Sequence, residues 1–302
     1  MAVDSLTSEY EALTQGVGLV DRSERGKLLL TGADVREFLQ GQLTNDVEGL
    51  GDGEGCYAAF LTHKGKMLGD LRVFAVGDEA VFVDCERAVL QDLFNMIRRF
   101  KVGREVGLEK RTLERGLLSL VGPGIERFDA REHRHRVREI GGLRVREIVT
   151  DLGVDVVCDA EDVGVVKEAL GVPECSLDTA EIVRVESGRP RYGIDLDDSV
   201  IPQEAGLNER AVNFEKGCYV GQETVARLFY RGKPNRRLLG LRSAEPLAPG
   251  TELSREGKVV AVVRSSVVSP RLGPIALAFV RREVAVGEEL GGARVVDLPF
   301  VA

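Results

Sequence analysis

The sequence predicts an α+β chain in which two mixed units lead into a small all-β barrel or sandwich. Strand-like and helix-like patterns alternate through residues 1–187. Within them, Val89, Leu90, Leu93, Phe94, Ile97 and Phe100 recur at the spacing of one helical stripe. From Arg237 onward only short apolar runs remain, punctuated by Pro246, Pro249, Gly250, Gly257, Pro270, Gly273, Pro274 and Gly287, as short strands and turns require.

Taken in order, residues 8–16 suggest a helix closed by glycine, 27–30 a strand and 32–39 a helix with an apolar face. Runs at 57–62, 70–75 and 80–84 read as strands between Gly and Asp turns, and 86–100 as the striped helix. A second unit begins near 103–117, with strands at 117–121, 143–148 and 154–158 and a helix at 161–170. Residues 131–138, dense in Arg, Glu and His, read as an exposed connection. A helix at 179–187 stops at Gly188 with Pro190 beyond it. Strands at 238–241, 251–253, 259–268, 275–280 and 293–296 complete the chain.

At 302 residues the chain can bury a sizeable core and hold two or three domains. No stretch approaches the roughly 20 apolar residues of a membrane span, and residues 1–6 have neither a basic nor an apolar leader character. A cytoplasmic location with no membrane partner is the expectation. A net charge of −8 argues against a nucleic-acid partner. The five cysteines are odd in number and show no C-x-x-C pair, which suits reduced thiols better than a disulfide frame or a zinc site.

The most informative run is KGCYVGQE at 216–223, which places two glycines, a cation, a thiol, a phenol and a carboxylate within eight residues. Residues 222–229 read as a short helix, which sets Cys218 just ahead of the positive end of a helix dipole and makes it a candidate reactive thiol. A buried Cys in a tight strand-to-helix turn fits the same residues. Lys216, Arg227, Arg231, Lys233, Arg236 and Arg237 concentrate positive charge here, which suits an anionic small ligand or a solvated surface loop. His63, His133 and His135 have no metal-site spacing, residues 51–55 lack the Lys-Ser/Thr of a phosphate loop, and no G-x-S-x-G occurs. Asp70 at the start of an apolar strand, and Glu204 after Pro202 in an apolar run, are carboxylates either aimed into a pocket or capping a turn; local pattern favours the turn.

The octapeptide, with RVESGRPRYGID at 184–195 and Pro202-Gln203-Glu204, resembles the glycine-cleavage T-protein (aminomethyltransferase) superfamily of tetrahydrofolate-binding proteins. Segments at 18–23, 61–70, 120–123 and 265–280 fit it in order. The octapeptide itself is similar to the signature of the superfamily's YgfZ-type branch, which is linked to maintenance of iron–sulfur enzymes. The resemblance implies a three-part cloverleaf around a folate cleft. It further implies an α+β folate-binding unit at 1–110, a second α+β unit at 111–178, a segment returning to the cleft at 179–236 and a barrel at 237–302.

It also places Asp70 beside the folate nitrogens, Glu204 on the pterin edge, and Lys216, Tyr219, Arg184 and Tyr192 around the cleft. Arg227 and the neighbouring cations would suit the glutamate tail. Cys218 and Glu204 would border one shared hollow. In the aminomethyltransferases a Tyr-Thr-Gly-Glu-type segment lines the folate site, whereas residues 148–155 read IVTDLGVD. That departure, the chain's shortness and the Cys218-Tyr219 pair point to a YgfZ-type protein supporting iron–sulfur cluster assembly or repair. One thiol cannot hold a cluster by the usual four ligands, so client proteins are the expected partners. The enzyme alternative is aminomethyl transfer to tetrahydrofolate from a lipoyl carrier protein, with Asp70 at the reacting centre.

Overall fold

A computed structural model describes residues 2–301. Its α+β fold carries three sheets. The first has five antiparallel strands in the spatial order Gly55–Leu61, Met67–Ala75, Ala80–Cys85, Gly26–Thr31 and Gly107–Lys110. The expected stripe appears as the helix Leu90–Phe100, which buries Leu90, Leu93 and Ile97. Together with the helix Val35–Gln42 it closes a core on this sheet around Leu28, Leu30, Phe60 and Val83.

The second sheet has six strands in the order Glu174–Cys175, Gly18–Asp21, Arg115–Val121, Gly153–Asp159, Leu143–Val149 and His135–Ile140. Gly18–Asp21 thus leaves the N-terminal region to pair antiparallel with Arg115–Val121, so the second sheet draws on chain from both sides of residue 110. The two sheets meet through Phe74 and Phe82 on one side and Leu117, Ile148 and Val157 on the other. Residues 131–138 are largely exposed, as their charge suggested, but they end in a strand and bury His133 and His135. His135–Ile140 is an edge strand whose exposed cations are matched: Arg136 and Arg138 meet Glu147 at 2.9 and 2.8 Å, and Arg134 just ahead of it meets Glu54 at 2.6 Å. Charge on an edge strand also discourages pairing with a second chain.

The helix Leu177–Glu186 is capped by Ser176, whose Oγ accepts from the Thr179 amide at 3.3 Å. It links the second sheet to the C-terminal barrel, whose strands run Glu252–Arg255, Lys258–Ser269, Gly273–Arg281, Arg236–Ser243, Ala293–Val296 and Glu289–Leu290. The two outermost strands pack against each other, so the barrel is nearly closed around Leu241, Val263, Ala278 and Val295. A separate core joins Ala59, Leu61 and Met67 of the first sheet to Ile275, Leu277 and Phe279 of the barrel through Tyr219 and Val225. Among the described residues no helix is long and apolar enough to cross a membrane.

Candidate active site

A cavity of about 220 Å³ opens where the two α+β sheets, the helix Leu177–Glu186 and residues 189–192 converge. Its wall is charged, with Arg22, Arg25, Arg72, Arg184, Arg191 and Arg210 set against Asp70, Glu86, Asp151 and Asp155 among others. Strand alternation explains how the first sheet contributes. Asp70 and Arg72 share one face of Met67–Ala75, and across the ladder Tyr57 stands opposite Arg72 and Ala59 opposite Asp70. Tyr57 is therefore a diagonal neighbour of Asp70, and its hydroxyl donates to Asp70 Oδ2.

Asp70 is 7 % exposed, and burial pushes its carboxyl up to about 6, against the Tyr57 hydrogen bond that favours the anion; Glu86 adds to the rise. Burial and Asp70 together hold the Tyr57 phenol well above its ordinary value, so it stays a donor. The Arg210 guanidinium lies 5.6 Å from the Tyr57 ring centre.

A buried ion network backs this wall. Asp84, fully buried, accepts from Arg25 Nε at 3.1 Å and Nη2 at 3.2 Å, and from Arg72 Nε at 2.7 Å. Those two guanidiniums hold its carboxyl far below the usual range against the cost of burial. Arg72 also reaches Asp155 at 2.6 Å, and Ser119 Oγ donates to the second Asp155 oxygen at 2.6 Å. No buried side-chain atom of Arg25, Arg72, Asp84, Asp155 or Ser119 lacks a partner, which is the condition under which buried charge fixes one arrangement of a wall.

Three of the residues expected from sequence line this cavity: Asp70, Arg184 and Tyr192. Arg184 donates to Glu181 at 2.6 Å, Asp195 at 2.7 Å and Ser265 at 2.6 Å, tying the linking helix to the barrel. The Tyr192 hydroxyl lies 3.4 Å from the Met67 carbonyl. The other five are placed elsewhere. Glu204 is buried against the barrel, paired with Arg236 at 3.2 Å and accepting from the Ile201 amide at 3.3 Å, while its carbonyl accepts from the Leu238 amide. Lys216 Nζ donates to the carbonyls of Gln40, Leu43 and Asn45 at 2.7, 2.7 and 2.9 Å, closing the end of Val35–Gln42. Burial lowers its ammonium to about 8. Tyr219 sits in the core beneath the barrel with its ring centre 5.2 Å from Lys216 Nζ.

Cys218 is exposed, and Arg227 is exposed on the helix Gln222–Arg231. Neither Cys218 nor Glu204 lines the cavity described: the thiol is exposed, and the carboxylate is paired with Arg236 at the barrel junction. What fixes the octapeptide is close approach: Gly221 has φ +85°, and a Cβ there would come within 2.5 Å of the Thr62 carbonyl oxygen, so the loop packs onto the turn at 62–66.

Sequence reasoning missed Tyr57, Arg25, Arg72, Asp84, Glu86, Asp151, His133 and Arg210. Arg72 and Asp84 did carry a signal, as charged residues inside otherwise apolar strands.

Comparison with known proteins places these features in context. A family model described as the GCVT N-terminal domain matches residues 2–128. A second, described as the glycine cleavage T-protein C-terminal barrel domain, matches residues 236–301. A curated protein of Thermosipho melanesiensis named aminomethyltransferase is 24 % identical over 326 residues, covering 98 % of this chain and 89 % of its own. The crystal structure of glycine cleavage system aminomethyltransferase T from Bartonella henselae superposes with a TM-score of 0.87 at 23 % identity, over 98 % of this chain and 89 % of that one. The latter likeness shows a shared fold.

Proposed function

The chain belongs to the glycine-cleavage T-protein superfamily, and from that premise we propose that it binds a reduced folate in the central cavity and carries out one-carbon transfer of the aminomethyltransferase type. One observation carries this reading: the Asp70 carboxylate is buried on the cavity wall, oriented by the Tyr57 hydroxyl and backed by a paired ion network. A fixed, preorganised anion stabilises positive charge that develops on an iminium carbon, without needing to exchange a proton itself. In the proposed reaction the aminomethyl carbon leaves a lipoyl sulfur and joins folate nitrogen, and ammonia departs as the methylene bridge to the second nitrogen closes. Tyr57 and Arg210 shape the wall beside Asp70. Support for the substrate class comes from the relatives' name and from the segment at 148–155, where Thr150, Asp151 and Leu152 line the cavity despite the departure in sequence.

A second reading rests on one different observation. Cys218 is exposed on the octapeptide while Cys56, Cys85, Cys158 and Cys175 are buried, which suits a YgfZ-type role in which a folate-loaded protein supports iron–sulfur client enzymes. The same protein preparation tests both. Titration with tetrahydrofolate under reducing conditions should saturate at one site. Formation of methylene-tetrahydrofolate from an aminomethyl-lipoyl carrier should then proceed in the wild type and collapse in the Asp70→Asn variant. Folate binding without turnover in the wild type rejects the transferase reading and leaves the iron–sulfur one. We further propose that the molecule divides as 1–110, 111–178, 179–236 and 237–302, and that it acts in the cytoplasm.

A further inference from the structure

We propose that His133 is a specificity-determining residue of the central cavity, its neutral imidazole accepting a hydrogen bond through Nδ1 from an N–H on the edge of the bound pterin. This rests on the folate reading above and assigns a residue that the sequence pattern hid inside a run of charge.

Two described non-glycine residues have left-handed backbone, His133 at φ +65° and Glu256 at φ +51°. Glu256 sits with Gly257 in the turn between Glu252–Arg255 and Lys258–Ser269, where such a conformation is ordinary. His133 occupies a turn that leads into the edge strand His135–Ile140, and the turn is fixed from both sides. A strained backbone of this kind persists only where its surroundings over-determine it. Here the His133 amide donates to the Val149 carbonyl at 2.8 Å, the His135 amide to the Gly53 carbonyl at 2.9 Å, and the His133 ring meets Phe74 edge-on with centres 6.3 Å apart.

The result is a residue 9 % exposed that lines the cavity and whose Nδ1 has no hydrogen-bond partner. An unmet buried polar atom adds its own desolvation cost to that of the backbone. Nε2 lies 3.5 Å from a Glu132 oxygen that also receives Arg210 at 2.7 Å. That carboxylate favours the proton on Nε2 and leaves the lone pair on Nδ1. Burial, then Arg72 and Arg210, push the imidazole down to about 3 against the opposing pull of Asp151 and Asp84, so it is neutral throughout the working range. A neutral acceptor in a wall of guanidinium donors is selective. Its Nδ1 receives an N–H and offers no proton to an anionic group placed there.

The test uses the whole chain and tetrahydrofolate under reducing conditions, with affinity by calorimetry and thermal midpoint of the unliganded protein measured on each variant. Loss of one neutral hydrogen bond predicts that His133→Ala weakens tetrahydrofolate binding roughly tenfold. The unliganded midpoint of this variant should fall as well, because a buried ring is lost and alanine is strained at φ +65°, so the decisive comparison is with His133→Asn. His133→Asn tolerates the left-handed backbone and presents an amide oxygen, so it should recover part of the affinity. Wild-type binding with an unchanged His133→Ala affinity overturns this inference and leaves the folate reading standing. So does an affinity loss that merely tracks a falling midpoint in both variants. Failure of the wild-type chain to bind tetrahydrofolate overturns the folate reading itself, and this inference with it.

Discussion

The central cavity and the octapeptide loop are built in opposite ways. The cavity gathers Tyr57, Asp70, Arg72, Asp155 and Arg210 from distant parts of the chain into one wall, backed by Asp84 and held by ion pairs and hydrogen bonds. The loop is contiguous at 216–223, exposed at Cys218, and held at its two ends by the Lys216 ammonium and the close approach of Gly221. The difference teaches that the chain's most conspicuous motif and its best-organised chemical site are separate surfaces. A ligand in the cavity need not sense the thiol, and a partner at the thiol need not enter the cavity.

The sharpest way to break that separation is Asp70→Asn. If the cavity carries the chemistry, transfer to tetrahydrofolate should fall by roughly two to three orders of magnitude, the scale on which a preorganised electrostatic group contributes. The wild-type kcat/KM should rise with pH and level off above about 6, where Asp70 is ionised. Stability moves the other way. The folded carboxyl binds its proton more tightly than the unfolded one, so Asp70 contributes most below about 4 and progressively less as pH rises to about 6. At pH 7 the variant should therefore be more stable by up to about 3 kcal/mol, read from denaturant midpoints. Full transfer by the variant would move the chemistry out of the cavity.

Asp84→Ala comes next. Removing the carboxylate that Arg25 and Arg72 share breaks a buried pair and leaves Arg25 with Glu86 and Arg72 with Asp155 alone, at a cost of about 3–5 kcal/mol. The folded carboxyl is depressed, so its contribution is present above the ordinary aspartate range and lost as pH falls through it. The gap between wild type and variant should accordingly narrow in acid. A cost under about 1 kcal/mol would show that the wall is not held by this network.

Lys216→Met probes the loop by the same logic at smaller scale. Three carbonyls lose their donor, which predicts a loss of roughly 1–3 kcal/mol in unfolding free energy with little change in tetrahydrofolate affinity. An affinity loss larger than the stability loss would join the two regions that the geometry keeps apart.

The same contrast explains what was legible in the sequence. Leu90–Phe100 and the barrel strands carry strong periodicity, so their residues announce the fold. Gly107–Lys110 and Gly18–Asp21 are four residues each, too short for a period to declare itself. Asp70 stood out as a carboxylate in an apolar strand, but Tyr57 becomes its partner only through the ladder register. Glu204 read locally as a turn residue, and its carboxylate does accept from the Ile201 amide; only the resemblance set it on the pterin edge, and its charged partner is Arg236, which opens the first barrel strand. His133 and His135 were hidden for a similar reason: composition reports how many charges a segment holds, not that Glu54, Glu132 and Glu147 are waiting to neutralise them.

The smallest effect in vitro should be that of Cys218→Ala. An exposed side chain away from any cap or network changes stability by no more than about 0.5 kcal/mol, and tetrahydrofolate affinity should match the wild type. Thiol chemistry sharpens the point. Burial pushes Cys56 and Cys85 up to about 12 and Cys158 up to about 11, and it raises Cys175 as well, so none presents an accessible thiolate. An aromatic disulfide reagent should therefore titrate one thiol in the native protein, absent from the variant, and all five cysteines only after denaturation. In cells lacking the native copy the two readings then part. Loss of iron–sulfur enzyme activity with Cys218→Ala, while transfer in the cavity persists, would give the loop a partner-facing role of its own. Full activity in the variant would remove the thiol from both readings and leave the octapeptide as a structural clasp on the turn at 62–66.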